Sequence, residues 1–272
     1  MIINRPILAL VIASLSSAAV AETGAWGEGT KAEVRLLAAG INADGALDAA
    51  IEIVMPKGWH TYWRTPGDAG IAPVFDFSTS QNVGEVHVQF PVPERYDDGV
   101  SVSNVYKDRV VLPLTVPVLD RARPVTLAVA VDLGVCADIC VPDAAQTTLT
   151  LDPSESDPVA AALIAEARSR LPGKPMPGEL AVEAVVRDGG TDKRPIFRVT
   201  ASTPNAVATD IFVEGPADWA PYSPELAASA TGEGTWTAKF SRIGAKTPLA
   251  GAALRVTLVA GGRAVEQTVP LD

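Results

Sequence analysis

The sequence predicts an all-β chain: an antiparallel β-sandwich, a short helical connector and a second, smaller β-sandwich. Three observations carry this prediction. Apolar and polar residues alternate over many short runs, the period of half-buried strands. The 272 residues include 22 glycines and 22 prolines but only 6% aromatics, a composition rich in turns. One stretch breaks the alternation and repeats its apolar residues every four positions. At 47% hydrophobic and 20% charged the chain can fill sizeable cores, and its length suits two modest domains better than one.

Residues 1–21 read as a secretory signal peptide. Arg5 supplies the positive charge, Ile7 to Leu15 the apolar run, and Ala19-Val20-Ala21 a small-residue cleavage site. The run is shorter than the roughly 20 apolar residues of a membrane span. The mature chain is therefore expected to begin near Glu22, outside the cytoplasm and not membrane-spanning once the signal is cleaved. The formal net charge of −10 argues against nucleic-acid partners and against docking on an anionic membrane face.

Residues 22–152 form the expected first domain. Leu47, Ala49, Ile51 and Ile53 share one strand face, as do Val86, Val88 and Phe90. Val110–Val116 and Val125–Val131 are further strand-like runs. Residues 153–178 are the expected connector. Asp157 is placed to cap a helix whose first residue is Pro158, and Val159, Leu163, Ala167 and Leu171 recur on one face. Residues 179–272 return to alternation, as in Phe197/Val199 and Trp236/Ala238/Phe240. The runs Leu254–Leu258 and Val265–Val269 flank Gly261-Gly262, a hairpin signal. This second domain holds no cysteine or histidine and is expected to be structural or partner-binding.

The two cysteines, Cys136 and Cys140, are the chemical feature of the exported chain. Cysteines four apart on a helical turn share a face, with a Cα separation of roughly 6 Å that a disulfide can span. Three readings stand on the residues alone. As a staple the pair is weak, because so short a loop is worth about 2 kcal/mol against nearly 5 for a long one. As a redox couple it needs little movement to open and close. As a metal site it offers two thiolates to a soft ion such as Cu(I), whereas zinc needs two further ligands. His87 falls on a polar strand face, and Met55 and Met176 read as core or loop. No phosphate-binding glycine loop and no nucleophile elbow is present, and no cofactor is expected. Asp44, Asp97 and Asp98 read as turn residues.

Three stretches carry a family resemblance. They are Gly58-Trp59-His60-Thr61-Tyr62-Trp63-Arg64, the run Val105-Tyr106-Lys107-Asp108-Arg109 through Leu114, and Cys136-Ala137-Asp138-Ile139-Cys140-Val141-Pro142. In this order they resemble the amino-terminal periplasmic domain of the thiol:disulfide interchange protein DsbD and its copper-tolerance relative ScsB. The resemblance covers about Lys31 to Leu151 and implies an immunoglobulin-like sandwich with a redox-active Cys136–Cys140 disulfide at one end. It implies a periplasmic disulfide reductase that relays electrons from a separate membrane donor to thioredoxin-like proteins. Cys140 is then the attacking thiol and Cys136 its resolving mate. A cap loop over the pair falls at about Tyr96 to Ser103, including Asp97 and Asp98, with His60, Tyr62 and Tyr106 in support. Two departures stand out. The cysteines are closer in sequence than in DsbD, and Gly99-Val100 replaces the aromatic cap tip, so the cover is either weaker or supplied by Tyr96. A copper-binding module on the same thiols, and a silent sandwich with a structural disulfide, are the alternatives.

Overall fold

The structure is a computed structural model that describes residues 23–176, 178–204 and 207–271; the expected signal peptide lies outside them. Two β-sandwiches are linked by one short helix. In the first, one sheet runs in the order Gly27–Glu28, Glu33–Ile41, Ala46–Val54, Arg109–Pro117, His87–Val88. The facing sheet runs Cys140–Leu151, Val125–Cys136, His60–Gly67, Val102–Lys107, Glu94–Asp97. Leu36, Ile51, Ile53, Leu112, Leu127 and Trp63 fill the space between them.

The expected alternation of Leu47, Ala49, Ile51 and Ile53 is present, and all four are buried. The run Glu85–Phe90 pairs only at His87 and Val88. Prolines explain the short ladder: Gln89 donates to the Pro113 carbonyl, but Pro113 has no N–H to return, and Pro91 and Pro93 follow. The run Val105–Leu114 spans two strands. Val102–Lys107 and Arg109–Pro117 lie in opposite sheets, and the chain crosses at Asp108, whose φ is 58°. Asp108 holds the crossing by accepting from the Met55 amide at its carbonyl and from the Gly58 amide at its carboxylate.

The helix spans Pro158–Ser169, with Asp157 Oδ1 accepting from the Val159 and Ala160 amides. Its buried face overlaps the expected one at Ala167 and the partly buried Leu163 but is turned toward Ala160 and Ile164. Ala160, Ile164 and Ala167 are buried, while Val159 is 65% exposed. The helix lies on the outer face of the first sheet, where Ala160 and Ile164 cluster with Leu37 and Ala50. That contact selects the stripe, and it explains why a connector is packed rather than free.

In the second sandwich, Ala181–Thr191, Arg194–Thr203, Gly232–Ser241 and Ala220–Pro221 form one sheet, joined by Glu225–Ala230. The other is Ala208–Glu214, Ala253–Ala260 and Arg263–Pro270. The Gly261-Gly262 hairpin is as expected, with both φ angles positive and Ala260 opposite Arg263. Phe197, Val199, Trp236, Phe240, Leu254 and Val256 are the core. Phe212 leaves this domain to join the first core, its ring 5.5 Å from that of Trp63. Arg64 ion-pairs across the junction with Glu214 and Glu266.

Asp143, on the strand Cys140–Leu151, ties the amino-terminal turn to this sheet. Its carboxylate accepts from the amides of Thr30, Lys31 and Ala32 at 2.6, 2.7 and 2.7 Å. Burial alone raises its pKa, but these amides and that of Ala144 outweigh it and hold the carboxyl below its ordinary value. A depressed folded-state pKa means stability that is present above the ordinary carboxylate range and lost as pH falls through the folded value. Asp143→Ala is expected to cost about 2–4 kcal/mol in urea unfolding at neutral pH, because it orphans three amides. The cost should shrink as pH falls below the ordinary carboxylate range and through the lowered folded-state value, where the wild-type carboxyl takes up its proton.

Candidate active site

The strands Val125–Cys136 and Cys140–Leu151 pair residue for residue, from Val125 opposite Leu151 to Cys136 opposite Cys140. The cysteines are thus cross-strand partners at a hairpin tip, not neighbours on a helical turn. Their Cα atoms are 4.1 Å apart and they are joined by a disulfide. A long ladder running in register carries strand geometry to the tip, leaving three residues, Ala137-Asp138-Ile139, to close it. The Ala137 amide donates to the Ile139 carbonyl within that loop. Since the tip is not helical, no helix N-terminus favours a thiolate here. The two sulfurs differ in access: Cys136 is buried, whereas Cys140 is exposed.

Cys136 also pairs with His60 on the neighbouring strand, so the sequence-distant aromatic run lies beside the disulfide. Strand alternation then sorts its side chains. Thr61 and Trp63 take one face, with Trp63 in the core; His60 and Tyr62 take the other, over the cysteines. The Tyr62 hydroxyl lies 2.9 Å from Cys136 Sγ and 3.3 Å from Cys140 Sγ. A disulfide has no hydrogen, so the phenol is the donor. Burial, with Asp98 and Tyr96 adding, pushes the Tyr62 pKa up and keeps that proton in place. Burial lowers the His60 pKa, Lys107 adds to this and Asp98 opposes it, so His60 is neutral at neutral pH.

Two glycines seat the Tyr62 ring. A Cβ on Gly70 would fall 2.2 Å from Tyr62 Cε1, and one on Gly134 would meet Ile71 at 2.9 Å and the Tyr62 ring at 3.2 Å. Gly134 lies within the strand and makes room for this ring.

The segment expected as a cap is the hairpin between Glu94–Asp97 and Val102–Lys107. Its turn is built by the expected aspartates. Asp97 Oδ1 accepts from Gly99, and Asp98 Oδ1 from Val100 and Ser101. The Ser101 and Val100 amides hold the Asp98 pKa low, so a negative charge lines the same cleft as the cysteines. Val100 at the tip is 95% exposed. Cover comes from Tyr96, which packs against Tyr62, Val105 and Cys136 with its ring 4.6 Å from that of His60. His60, Tyr62, Tyr96, Asp98, Cys136 and Cys140 line one cleft of about 520 Å³. Asp97 is exposed outside it. Tyr106, expected in support, is not brought there. It faces the sandwich core, and its hydroxyl donates to the Pro91 carbonyl at 2.5 Å. The alternation that turns Val105 to the cleft turns Tyr106 away from it.

Whereas Ser101 and Ser103 belong to the expected cap segment, sequence reasoning missed Ala69, Gly70 and Ile71 in the cleft wall. The Asp68-Ala69-Gly70 turn was their only local signal.

Residues 33–152 match the family of the thiol:disulfide interchange protein DsbD, N-terminal domain. Residues 170–272 match a domain of unknown function, DUF8393. The crystal structure of the N-terminal periplasmic domain of ScsB from Proteus mirabilis is similar over 89% of this chain and 94% of that one. The TM-score is 0.67 and the identity 21%, a shared fold. No curated protein matches the chain. The DsbD-like segment thus contains both cysteines and the whole cleft wall, and it ends before the helix. No helix among the described residues is long and apolar enough to cross a membrane.

Tyr62→Phe removes the one phenolic donor that reaches both sulfurs. In the reduced protein it is expected to raise the pKa of the more acidic thiol by about 1–2 units, the worth of one hydrogen bond to a charged group. Thiolate ultraviolet absorbance against pH measures this. Thermal unfolding separates it from Gly70→Ala, which should displace the ring and cost about 1–3 kcal/mol of stability as well.

Proposed function

We propose that this chain is a thiol–disulfide exchange protein of the periplasm, working through reversible formation of the Cys136–Cys140 bond. The observation that carries the reading is the unequal access of the two sulfurs within one cleft. An exposed Cys140 can meet a partner, while a buried Cys136 can meet only Cys140.

In the reduced state the Cys140 thiolate attacks one sulfur of a partner disulfide. The partner's other sulfur leaves as a thiolate and takes up a proton. The Cys136 thiolate then attacks Cys140 Sγ, re-forming the Cys136–Cys140 bond and releasing the partner as a dithiol. Two electrons pass to the partner, and the chain is re-reduced by the reverse sequence against a donor. Tyr62 acts on whichever sulfur carries charge, donating a hydrogen bond that a thiolate accepts more strongly than a disulfide. His60, being neutral, adds no positive charge that would trap the thiolate. Tyr96 and the cap limit access to the reduced pair. Thioredoxin-like periplasmic proteins are the proposed acceptors, and a separate membrane protein the donor. The DsbD family match and the fold shared with a periplasmic domain support this reading.

Titration in glutathione redox buffer is the direct test. A potential within the range of periplasmic oxidoreductases, above about −300 mV, is expected; a lower one makes the pair a structural staple. In cell-envelope extracts Cys136→Ser should accumulate mixed disulfides through Cys140, and Cys140→Ser should not. The reverse pattern would reassign the two roles.

A further inference from the structure

Both legs of the cap hairpin are held by the second β-domain. On the entering leg, Arg95 Nε lies 2.7 and 2.8 Å from the two carboxylate oxygens of Asp210, and its Nη2 donates to the Ile211 carbonyl. The guanidinium also stacks over Phe212, 4.9 Å from the ring centroid. On the leaving leg, the Val102 carbonyl accepts from Ser223 Oγ at 2.8 Å and from the Asp68 amide at 3.1 Å. The Asp68 carboxylate bridges the same three segments, accepting from the Val102 amide at 3.1 Å and the Ser223 amide at 2.7 Å. The junction is tight. A Cβ on Gly67 would fall 2.7 Å from the Val102 oxygen and 3.3 Å from Ser223 Oγ.

Strand alternation connects these anchors to the disulfide. Arg95 points to the second domain, so its neighbour Tyr96 points the other way, onto His60 and Cys136. Asp68 sits two residues before Gly70, which seats the Tyr62 ring. Within the cap turn the Asp97 and Asp98 hydrogen bonds set its shape, while its position over the cleft is shared between pairing of the leaving leg with His60–Gly67, the Ser103 Oγ bond to the Ala69 carbonyl and the anchors from the second domain. We propose that the second β-domain is a clamp on the cap: Asp210 and Ser223 are positioning residues that hold Tyr96 over the disulfide and so set how readily Cys140 is reached. This gives the carboxy-terminal domain a role in exchange without a reactive group of its own. It rests on the exchange reading only for its purpose, since the clamping can be measured by itself.

The experiment uses the full chain, oxidised, with dithiothreitol as the attacking thiol. Its thiolate attacks Cys140 Sγ, Cys136 leaves as a thiolate and is protonated, and the second thiol of the reagent completes the reduction. Amide hydrogen exchange over residues 96–103 is followed in parallel. In the double variant Asp210→Ala/Ser223→Ala, cap exchange and disulfide reduction are both expected to be about tenfold faster, the factor that corresponds to the net worth of one or two hydrogen bonds. Glu266→Gln weakens the Arg64 contact of the same junction without touching the cap, and should change neither rate. Wild-type exchange or reduction rates in the double variant overturn the clamp. Equal acceleration by Glu266→Gln also overturns it, because general domain docking then suffices. A disulfide out of range in glutathione buffer would defeat the exchange reading alone, and cap amide exchange would still report on the clamp.

Discussion

Everything at the candidate site depends on one ladder of backbone hydrogen bonds. The strands Val125–Cys136 and Cys140–Leu151 are paired along their whole length, and the pairing ends on the two cysteines. A slip of one residue would turn every core side chain outward, so burial of Leu127, Val129, Val131, Leu133 and Val135 holds the register. The core therefore sets the position of the sulfurs. Asp143, opposite Leu133 in this ladder, fastens the amino-terminal turn to the same hairpin through the Thr30, Lys31 and Ala32 amides.

On this frame the chemistry is local and small. One phenol touches both sulfurs, two glycines make its seat, and one aromatic ring covers it. Burial does two jobs. It keeps Cys136 from solvent, and it holds Tyr62 protonated and His60 neutral, so the hydrogen-bond donor beside the sulfurs is uncharged. The Tyr62 hydroxyl, in contact with both sulfurs, is the group placed to favour a thiolate. The covering hairpin is continuous with the domain junction, where Arg64 and Arg95 meet the second sandwich and Ser223 of that sandwich meets the Val102 carbonyl. Access to the disulfide and docking of the domains thus share side chains.

Much of this was legible in the residues. Alternation located Ala46–Val54, Arg194–Thr203 and Gly232–Ser241, because each has one face in a core. Asp157-Pro158 marked the helix start, since a cap and its amides are adjacent in sequence. The helix face was legible at Leu163 and Ala167 but not at its start, because Val159 and Ala160 both suit a helix and only the outer surface of the sheet chose between them. Tyr106 was misassigned for a related reason. Its neighbours in sequence resemble the site, yet its side chain follows strand parity into the core.

The sequence by itself determined the all-β plan, the helical break and the cysteine pair, because these are set by local period and by residue type. It could not determine that the cysteines face each other across a hairpin, that Gly134 and Gly70 exist for the Tyr62 ring, or that Arg95 and Ser223 tie the cap to the second domain. Those are contacts between residues far apart in the chain, and only tertiary packing decides which distant side chains share a surface.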